Sequence, residues 1–284
     1  MSSSWTDLER PPLREAALRR ALVREGGLWS ALTVLPRTGS TNTDLAAQAR
    51  SGAPAGAVLL ADEQTAGRGR LDRAWAAPPR SGIHCSFLLR PTAPLTRWGW
   101  LPLLTGVAAA GALSRAAELD VRLKWPNDLL VPVGGEERKL GGILAEAVSG
   151  GPASEEGDGV VIGVGVNVSL TAEELPVPTA GSLKLAGSAH LDRDTLVRMV
   201  LREFADRYRA WEEAGGDPDG SGLREAYLER CATIGRTVRV ELPGDRELRG
   251  EAVSVDDDGR LVVRAGDGAE EAVGAGDVVH VRPV

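Results

Sequence analysis

Two residue types that this chain uses sparingly are confined to a few short segments. The sequence contains 33 lysines plus arginines but only three lysines, and it contains three asparagines. All three asparagines and two of the lysines fall in Ser40-Thr41-Asn42, Lys124-Trp125-Pro126-Asn127-Asp128, Lys139-Leu140-Gly141-Gly142 and Gly163-Val164-Gly165-Val166-Asn167. An ammonium is a compact point charge that can meet a single oxygen, whereas a guanidinium is a wide planar fork. Lysines retained in an arginine-rich chain therefore indicate a functional site.

A long polar loop, predicted over residues 62–80, carries charge suited to binding an anion. Its central stretch reads Glu63-Gln64-Thr65-Ala66-Gly67-Arg68-Gly69-Arg70-Leu71-Asp72-Arg73-Ala74-Trp75. Alternate glycines let the backbone approach a ligand closely, so that N–H groups can line an anion site. The three arginines suit a phosphate, and Trp75 offers a flat face for a base. The spacing matches neither the Gly-Lys-Ser/Thr phosphate loop nor the dinucleotide fingerprint, and on its own the loop is also consistent with a solvated basic segment.

The elements that must position these segments alternate between helix and strand. Helices are predicted over residues 11–24, 41–50, 98–118 and 194–214, the second capped by Ser40, Thr41 and Asn42 and closed by Gly52. Strands are predicted over 32–35, 58–61, 83–89, 121–125 and 160–168, with a hairpin turn at Gly134-Gly135. The β-branched run over 160–168 is typical of a strand covered on both faces. This order indicates an α/β (α+β) domain with a mixed sheet over residues 1–234.

The pattern changes after about residue 235. Short strands are predicted over 238–242, 248–255, 261–265, 271–273 and 278–281, separated by turns of Gly, Asp and Pro. About fifty residues of this kind favour a small all-β barrel. The chain is therefore predicted to hold a second domain over residues 235–284.

Composition excludes several classes of protein. The net charge of −7 argues against a protein that mainly grips a nucleic-acid backbone. Two cysteines, Cys85 and Cys231, suit a reducing cytosol. The apolar run over 101–113 is too short to span a bilayer, and residues 1–9 do not resemble a signal peptide. We therefore expect a cytoplasmic protein with no membrane or nucleic-acid partner.

The combination of motifs, in this order along the chain, resembles the biotin protein ligases. The resemblance spans about residues 35–170, and the small β domain from residue 235 is similar to the one that these ligases carry. It implies a catalytic domain like that of the class II aminoacyl-tRNA synthetases, followed by an SH3-like barrel. Some members carry a DNA-binding winged helix at the N-terminus. Only about 35 residues precede the first motif here, so we expect a ligase without repressor function.

The resemblance implies a two-step reaction. Biotin attacks the α-phosphate of Mg²⁺·ATP to give biotinyl-5'-AMP, and a lysine of a carrier protein then attacks the acyl carbon. The implied carrier is the biotin carboxyl carrier protein of an acyl-CoA carboxylase. We expect a monomer or weak homodimer. No protein metal ligands are implied. The first step joins two anions, so the catalyst must supply preorganised positive charge.

The resemblance also implies roles for individual residues. The catalytic set comprises Lys139, Arg68, Arg70 and Asp128. The biotin site comprises Ser40, Thr41, Asn42, Gln64, Arg68, Gly69, Arg70, Lys139, Gly141 and Gly142. The ATP site comprises Arg70, Arg73, Trp75, Lys124, Asn127, Lys139 and Asn167. Lys139 is the first choice for an essential residue. Asp128 is predicted either to orient Lys139 or to receive a proton from the attacking amine.

Structural interpretations stand beside these roles. Asn127-Asp128 can be a turn after Pro126, and Ser40-Thr41-Asn42 is a competent helix cap whatever else it does. Gly163 and Gly165 can let a strand pass close to a ligand or to a neighbouring chain. His84 and Cys85 suggest a nucleophile and base, but adjacent strand residues point to opposite faces, so core packing is favoured for both.

The sequence also departs from the family pattern. Asp72 stands where glycine is usual, and residues 81–86 are less aromatic than is common. Asp72 is expected to pair with Arg70 or Arg73, or to cap the turn. Two other functions remain as alternatives. One is a lipoate or octanoate ligase or transferase, and the other is a non-catalytic biotin-responsive regulator.

Overall fold

The structure is a computed structural model that describes residues 10–149, 157–242, 246–274 and 277–280. Features predicted for residues 1–9, including the lack of a signal peptide, lie outside the described residues, as does residue 281 at the end of the last predicted strand. The helices of the described residues are α1 (Glu15–Leu22), α2 (Thr41–Arg50), α3 (Trp100–Ala117), α4 (Arg193–Glu213) and α5 (Leu223–Arg230).

Within the described residues, seven strands form one mixed sheet in the order β1-β2-β5-β9-β8-β7-β6. Their bounds are β1 (Ala31–Leu35), β2 (Ala57–Ala61), β5 (Gly82–Leu89), β6 (Arg122–Lys124), β7 (Asp128–Val133), β8 (Glu136–Val148) and β9 (Gly159–Asn167). Strands β1 and β2 are parallel, and the other neighbouring pairs are antiparallel. The predicted mixed sheet is confirmed.

The two faces of this sheet are covered differently. On one face Phe87 and Ile162 pack in a large core that includes the buried face of α3 and the apolar side of α4. On the other face Leu88 and Val161 pack in a smaller core with Leu45 of α2. Because neighbouring residues of one strand join different cores, the sheet is covered on both sides, which explains the continuous apolar runs. We call the second side the α2 face.

The predicted elements agree with the structure except at their ends. Helix α1 is shorter than predicted, although Leu18 and Leu22 are buried as expected. The apolar run over 101–113 forms the buried helix α3. Helix α4 begins after Asp192, whose side chain makes no backbone cap, while the Asp194 carboxylate accepts hydrogen bonds from Arg14. Helix α5 has no counterpart in the prediction.

The long polar loop over residues 62–80, which we call the Arg-Gly loop, contains short structure of its own. Strands β3 (Gly67–Arg68) and β4 (Ala74–Trp75) pair as a hairpin around a 3₁₀ turn at Arg70–Asp72. A Cβ on Gly67 would lie 2.3 Å from the carbonyl oxygen of Trp75, so the close pairing of β3 with β4 requires glycine at this position. The side chain of Asp72 lies outside the described part of the chain, so its expected pairing stays a prediction.

The C-terminal part forms a separate antiparallel sheet. In the described part of the chain its five strands have the order β13-β12-β11-β10-β14. Their bounds are β10 (Thr237–Leu242), β11 (Arg246–Val255), β12 (Leu261–Arg264), β13 (Glu270–Val273) and β14 (Asp277–His280). Every predicted strand has a counterpart, so the small all-β unit is confirmed.

Candidate active site

A cavity of about 1650 Å³ lies where the α2 face of the first sheet meets the Arg-Gly loop and the C-terminal sheet. The predicted site residues that line it are Ser40, Thr41, Asn42, Gln64, Arg68, Gly69, Arg70, Arg73, Trp75, Lys124, Asn127, Asp128, Lys139, Gly142 and Asn167. Gly141 is not in the cavity wall. A Cβ there would lie 2.4 Å from the carbonyl oxygen of Gly165, so Gly141 serves the pairing of β8 with β9. The fold thus gathers residues from five separate stretches of chain.

A β-bulge in β8 sets the direction of the Lys139 side chain. Leu129 pairs with Gly141 and Leu130 with Lys139, so Leu140 is an extra residue on β8. The bulge lets Leu140 and Ile143 share the core although three positions separate them. Lys139 faces the cavity instead, and its side chain is 38% exposed.

Asp128 receives the Lys139 ammonium. Lys139 Nζ lies 2.6 Å from Asp128 Oδ1, across the hairpin from β8 to β7. The preceding Trp125-Pro126 bond is cis, and residues 125–127 form the turn that leads from β6 to Asp128. Asn127 closes that turn, because its Nδ2 donates to the carbonyl oxygen of Ile143 at 2.9 Å and its own carbonyl accepts from Ile143 N–H. The turn interpretation and the proposed functional role of Asp128 are therefore compatible.

Positive charge is concentrated around Asp128. Burial lowers the pKa of Lys124, and the neighbouring Asp128 carboxylate opposes that shift. Burial likewise lowers the pKa of Arg70, again opposed by Asp128, while Arg73 adds to the lowering. Cations whose charged forms are penalised by burial are stabilised when an anion arrives. This end of the cavity is therefore suited to an anionic ligand such as a phosphate or carboxylate.

Arg68 has a carboxylate partner that the sequence did not indicate. Arg68 Nη1 lies 3.0 Å from Glu146 Oε1, and Glu146 Oε2 accepts a hydrogen bond from Asn42 Nδ2 at 2.9 Å. Glu146 therefore joins the Arg-Gly loop to the start of α2 from its position on β8. Its signal in the sequence is the one charge in the otherwise uncharged stretch 140–148, seven residues after Lys139.

The neutral polar residues at the start of α2 form a closed network. Ser40 caps the helix by accepting from Thr43 N–H, and Gln64 Oε1 accepts from both the backbone N–H and the hydroxyl of Thr41. The Ser86 hydroxyl lies 2.7 Å from Thr41 Oγ1 and 2.6 Å from Asn42 Oδ1. Helix cap and cavity wall are thus the same residues, as expected. Ser86 is a further member that the sequence did not indicate.

Two glycines of β9 make room for side chains above the sheet. A Cβ on Gly163 would lie 2.2 Å from Asn42 Oδ1. A Cβ on Gly165 would lie 2.8 Å from the indole of Trp75. Real Cβ atoms essentially never approach so closely, so both side chains require glycine beneath them. The close approach to the strand that the sequence suggested at these two glycines is therefore made by the side chains of Asn42 and Trp75, which belong to the same chain.

Asn167 stabilises the segment that pairs with Lys139. Its Nδ2 donates to the carbonyl oxygen of Gly181 at 2.9 Å. Gly181 N–H in turn donates to the Lys139 carbonyl, and Lys139 N–H donates to Thr179. Asn167 lines the cavity, yet its amide nitrogen serves the backbone, so its nucleotide role stays a prediction.

The C-terminal sheet supplies one wall of the cavity. Arg236 makes two contacts with Glu137 on β8, at 2.6 and 2.8 Å. His280 lies 3.0 Å from the Thr233 hydroxyl and 3.1 Å from Arg236. Burial lowers the pKa of His280 to about 4, aided by Lys124 and Arg236. The cavity is therefore built by both sheets.

His84 is buried, as predicted, but not in the core on the far side of the sheet. His84 and Cys85 face opposite sides of β5. Cys85 packs in the large core, although it also borders the cavity, and His84 lines the cavity. Among the described residues, neither ring nitrogen of His84 has a hydrogen-bond partner, and the same holds for Trp75 Nε1. Burial lowers the pKa of His84 to about 4, with a smaller contribution from Arg193. Strand alternation excludes the nucleophile–base pair and directs the imidazole to the ligand side.

The described residues contain no group of three His, Cys, Asp or Glu side chains placed to hold a metal ion. No helix among them is long and apolar enough to cross a membrane.

Comparison with known proteins gives concordant matches. Residues 34–167 match the biotin/lipoate A/B protein ligase family, and residues 233–281 match the biotin protein ligase C terminal domain. A biotin–[acetyl-CoA-carboxylase] ligase of Mycobacterium tuberculosis is 43% identical over 97% of this chain and 98% of its own. The bifunctional ligase/repressor BirA of Escherichia coli is 31% identical, over 84% of this chain and 70% of its own. The structure of a biotin protein ligase from Aquifex aeolicus with biotin and ATP aligns with a TM-score of 0.70 and 25% identity, covering 89% of this chain and 100% of that one.

Proposed function

The chain belongs to the biotin protein ligase family, and from that premise we propose how its cavity carries out the ligase reaction. The enzyme activates biotin with ATP as biotinyl-5'-AMP and transfers the biotinyl group to a lysine of a carrier protein. The observation that carries the assignment of residues is the cluster of Lys124, Lys139 and Arg70 around Asp128, next to a neutral polar network. One end of the cavity suits anions and the other a neutral polar head group.

In the first step, a carboxylate oxygen of biotin forms a bond to the α-phosphorus of ATP, and the bond from that phosphorus to the bridging oxygen breaks to release pyrophosphate. Repulsion between the two anions opposes this approach. We assign Lys139, Arg68 and Arg70 to neutralise it, because preorganised cations in a half-buried site cost little reorganisation during reaction. Arg73 and Lys124 extend the positive charge toward the phosphates.

Mg²⁺ is assigned to the ATP phosphates, where it would neutralise charge on the triphosphate. The cavity carboxylates fit this assignment as single ligands of Mg²⁺. Asp128 is paired with Lys139 and Glu137 with Arg236, so each carboxylate stands apart from the other. They offer isolated carboxylates and no dedicated cage, and Mg²⁺ commonly binds through one or two carboxylates plus substrate phosphates.

In the second step, the ε-amine of a carrier lysine forms a bond to the acyl carbon, and the bond from that carbon to the phosphate oxygen breaks to release AMP. The amine loses a proton, and the carboxylate of Asp128 is placed either to accept it or to orient Lys139. We assign Ser40, Thr41, Asn42, Gln64, Gly69 and Gly142 to the biotin side, and Trp75, Asn127 and Asn167 to the nucleotide side. The acceptor is assigned as the biotin carboxyl carrier protein of an acyl-CoA carboxylase.

The test is exchange of labelled pyrophosphate into ATP, with biotin, lipoate or octanoate as the acid. Exchange should require biotin, and Lys139→Ala should lose both exchange and biotin transfer while remaining folded. Exchange with lipoate alone would identify a lipoate ligase instead. A biotin-responsive regulator would bind DNA in a gel shift and tolerate Lys139→Ala and Arg68→Ala.

Three further assignments belong to the same proposal. The enzyme acts in the cytoplasm, catalysis needs no nucleic acid, and the working assembly is a monomer or weak homodimer. Sedimentation of the free enzyme and of the enzyme with biotin and ATP tests the assembly, and a stable higher oligomer in either state would contradict it.

A further inference from the structure

The cavity wall contains hydrogen-bonding groups that the protein itself leaves unpaired. Within the described residues, the buried side-chain nitrogens that line the cavity without a partner belong to His84 and Trp75. His84 is only 2% exposed. A buried polar group without a partner costs free energy, so it needs a specific explanation.

His84 stands apart from the polar residues beside it. The Thr41 hydroxyl donates to Gln64, Ser86 lies within hydrogen-bonding distance of Asn42, and the Asn42 amide nitrogen contacts Leu144 and Glu146. These contacts occupy much of the hydrogen-bonding capacity at the start of α2. Among the described residues of the mixed sheet that line the cavity, the buried groups that lack a hydrogen-bond partner are the two ring nitrogens of His84.

The position of His84 links the two ends of the cavity. Ser86, which contacts Asn42, lies two residues farther along β5 on the same face, about 7 Å away. On the other side His84 pairs across the strands with Gly165, over which the Trp75 indole lies. A ligand that reaches from Asn42 to Trp75 along β9 therefore lies beside the imidazole on the adjacent strand.

We propose that His84 is a substrate-contacting, specificity-determining residue whose neutral imidazole hydrogen-bonds the ureido-bearing ring system of biotin. This inference rests on the proposed function, which places that ring beside Asn42. A neutral imidazole offers one donor and one acceptor, and a ureido group offers both complements, whereas a thioether is only a weak acceptor. Burial keeps the ring neutral, because it lowers the pKa of His84 to about 4.

The test combines biotin affinity with stability of the free protein. His84→Phe removes both ring nitrogens, and we expect biotin to bind about 10- to 100-fold more weakly by calorimetry without ATP. The same variant should melt at or above the wild-type temperature without ligand, because an unpaired buried polar group has been removed. His84→Gln keeps a donor and an acceptor and should restore affinity to within about fivefold of wild type.

Leu89→Ala is the matched control. Leu89 is buried on the same strand, packs in the large core and does not line the cavity, so its truncation should lower the melting temperature and leave biotin affinity unchanged. A structural role for His84 would instead make His84→Phe melt lower and bind biotin normally.

Three outcomes would overturn the inference. The first is wild-type biotin affinity in a folded His84→Phe variant. The second is failure of His84→Gln to bind better than His84→Phe. The third is unchanged affinity of His84→Phe for desthiobiotin, which keeps the ureido ring and lacks sulfur. Absence of biotin binding and exchange in the wild-type protein would instead refute the proposed function.

Discussion

Lys139 Nζ lies 2.6 Å from Asp128 Oδ1, and the two residues sit on adjacent strands of one hairpin. They are not direct cross-strand partners, since Asp128 pairs with Gly142 and Lys139 with Leu130. A Cβ on Gly142 would lie 3.6 Å from Lys139 Nζ, so the lysine side chain runs along its own strand toward Gly142. The carboxylate thus holds the ammonium over the strand and toward the cavity.

Replacing Asp128 should therefore impair adenylation. We expect Asp128→Asn to lower the rate of biotinyl-5'-AMP formation about 100-fold, because the Lys139 ammonium loses the charge that orients it. Single-turnover formation of biotinyl-5'-AMP measures this step, and transfer from preformed biotinyl-5'-AMP measures the next. Asp120→Asn is the control, since Asp120 pairs with Arg122 at 3.7 Å outside the cavity. Normal adenylation combined with slow transfer would instead identify Asp128 as the proton acceptor.

Glu146 should act on the biotin side. Glu146→Ala removes the partner of both Arg68 and Asn42, and we expect the KM for biotin to rise about 10-fold. Glu146→Gln can still accept a hydrogen bond from Asn42 and should raise the KM for biotin only about threefold, because only the charge pair with Arg68 is lost. Steady-state exchange at varied biotin measures both. Glu270→Gln, which loses an exposed pair with Arg264, is the control, and equal KM values in the two Glu146 variants would show that the Asn42 contact has no effect.

A methyl group on Gly163 should displace Asn42. The added Cβ would lie 2.2 Å from Asn42 Oδ1, so we expect Gly163→Ala to weaken biotin binding at least 10-fold and to shift the Asn42 amide resonances. Gly266→Ala adds the same methyl group to open space and should bind biotin like wild type. Calorimetric titration with biotin compares the affinities of the Gly163→Ala and Gly266→Ala variants. Wild-type affinity in Gly163→Ala would mean that Asn42 does not contact biotin.

His84 should make stability depend on pH. Its pKa is lowered from 6.5 to about 4 in the folded protein, so between these values the unfolded chain binds a proton that the folded chain does not. The free energy of unfolding must then fall as pH falls through this window, by about 3 kcal/mol from this residue. Well above pH 6.5 the ring is neutral in both states and contributes no slope.

Urea unfolding at pH 7, 5.5 and 4.5 measures this effect as a difference between proteins. The stability of His84→Phe relative to wild type should rise steadily toward pH 4.5. Cys85→Ala should show a constant difference, since burial raises the pKa of Cys85 to about 12 and the thiol does not titrate in this range. A constant difference for His84→Phe as well would refute the buried neutral state.

Local signals made much of the fold predictable. Ser40 at a helix start, Gly134-Gly135 at a hairpin and the β-branched run of β9 each act through short-range geometry, and each lies where predicted. Helix α5 escaped prediction because it is one short segment with only Leu223 and Tyr227 buried, which gives no clear period.

The site was less predictable than the fold, for a physical reason. Motif residues such as Lys139 and Arg70 carry chemistry that is visible in their type and spacing. Glu146, Ser86 and His84 acquire their roles only through strand pairing, which decides the face to which each side chain points. The bulge at Leu140 belongs to this second class, because no single residue type marks it.

That bulge decides which side of the sheet the catalytic lysine faces. Lys139 and Ile143 are four positions apart, so in a strand of regular pairing both side chains would point to the same side. Either the ammonium would then lie in the core or the isoleucine would leave it. The bulge reverses the alternation once, so that an even spacing along the chain places the two side chains on opposite sides of the sheet.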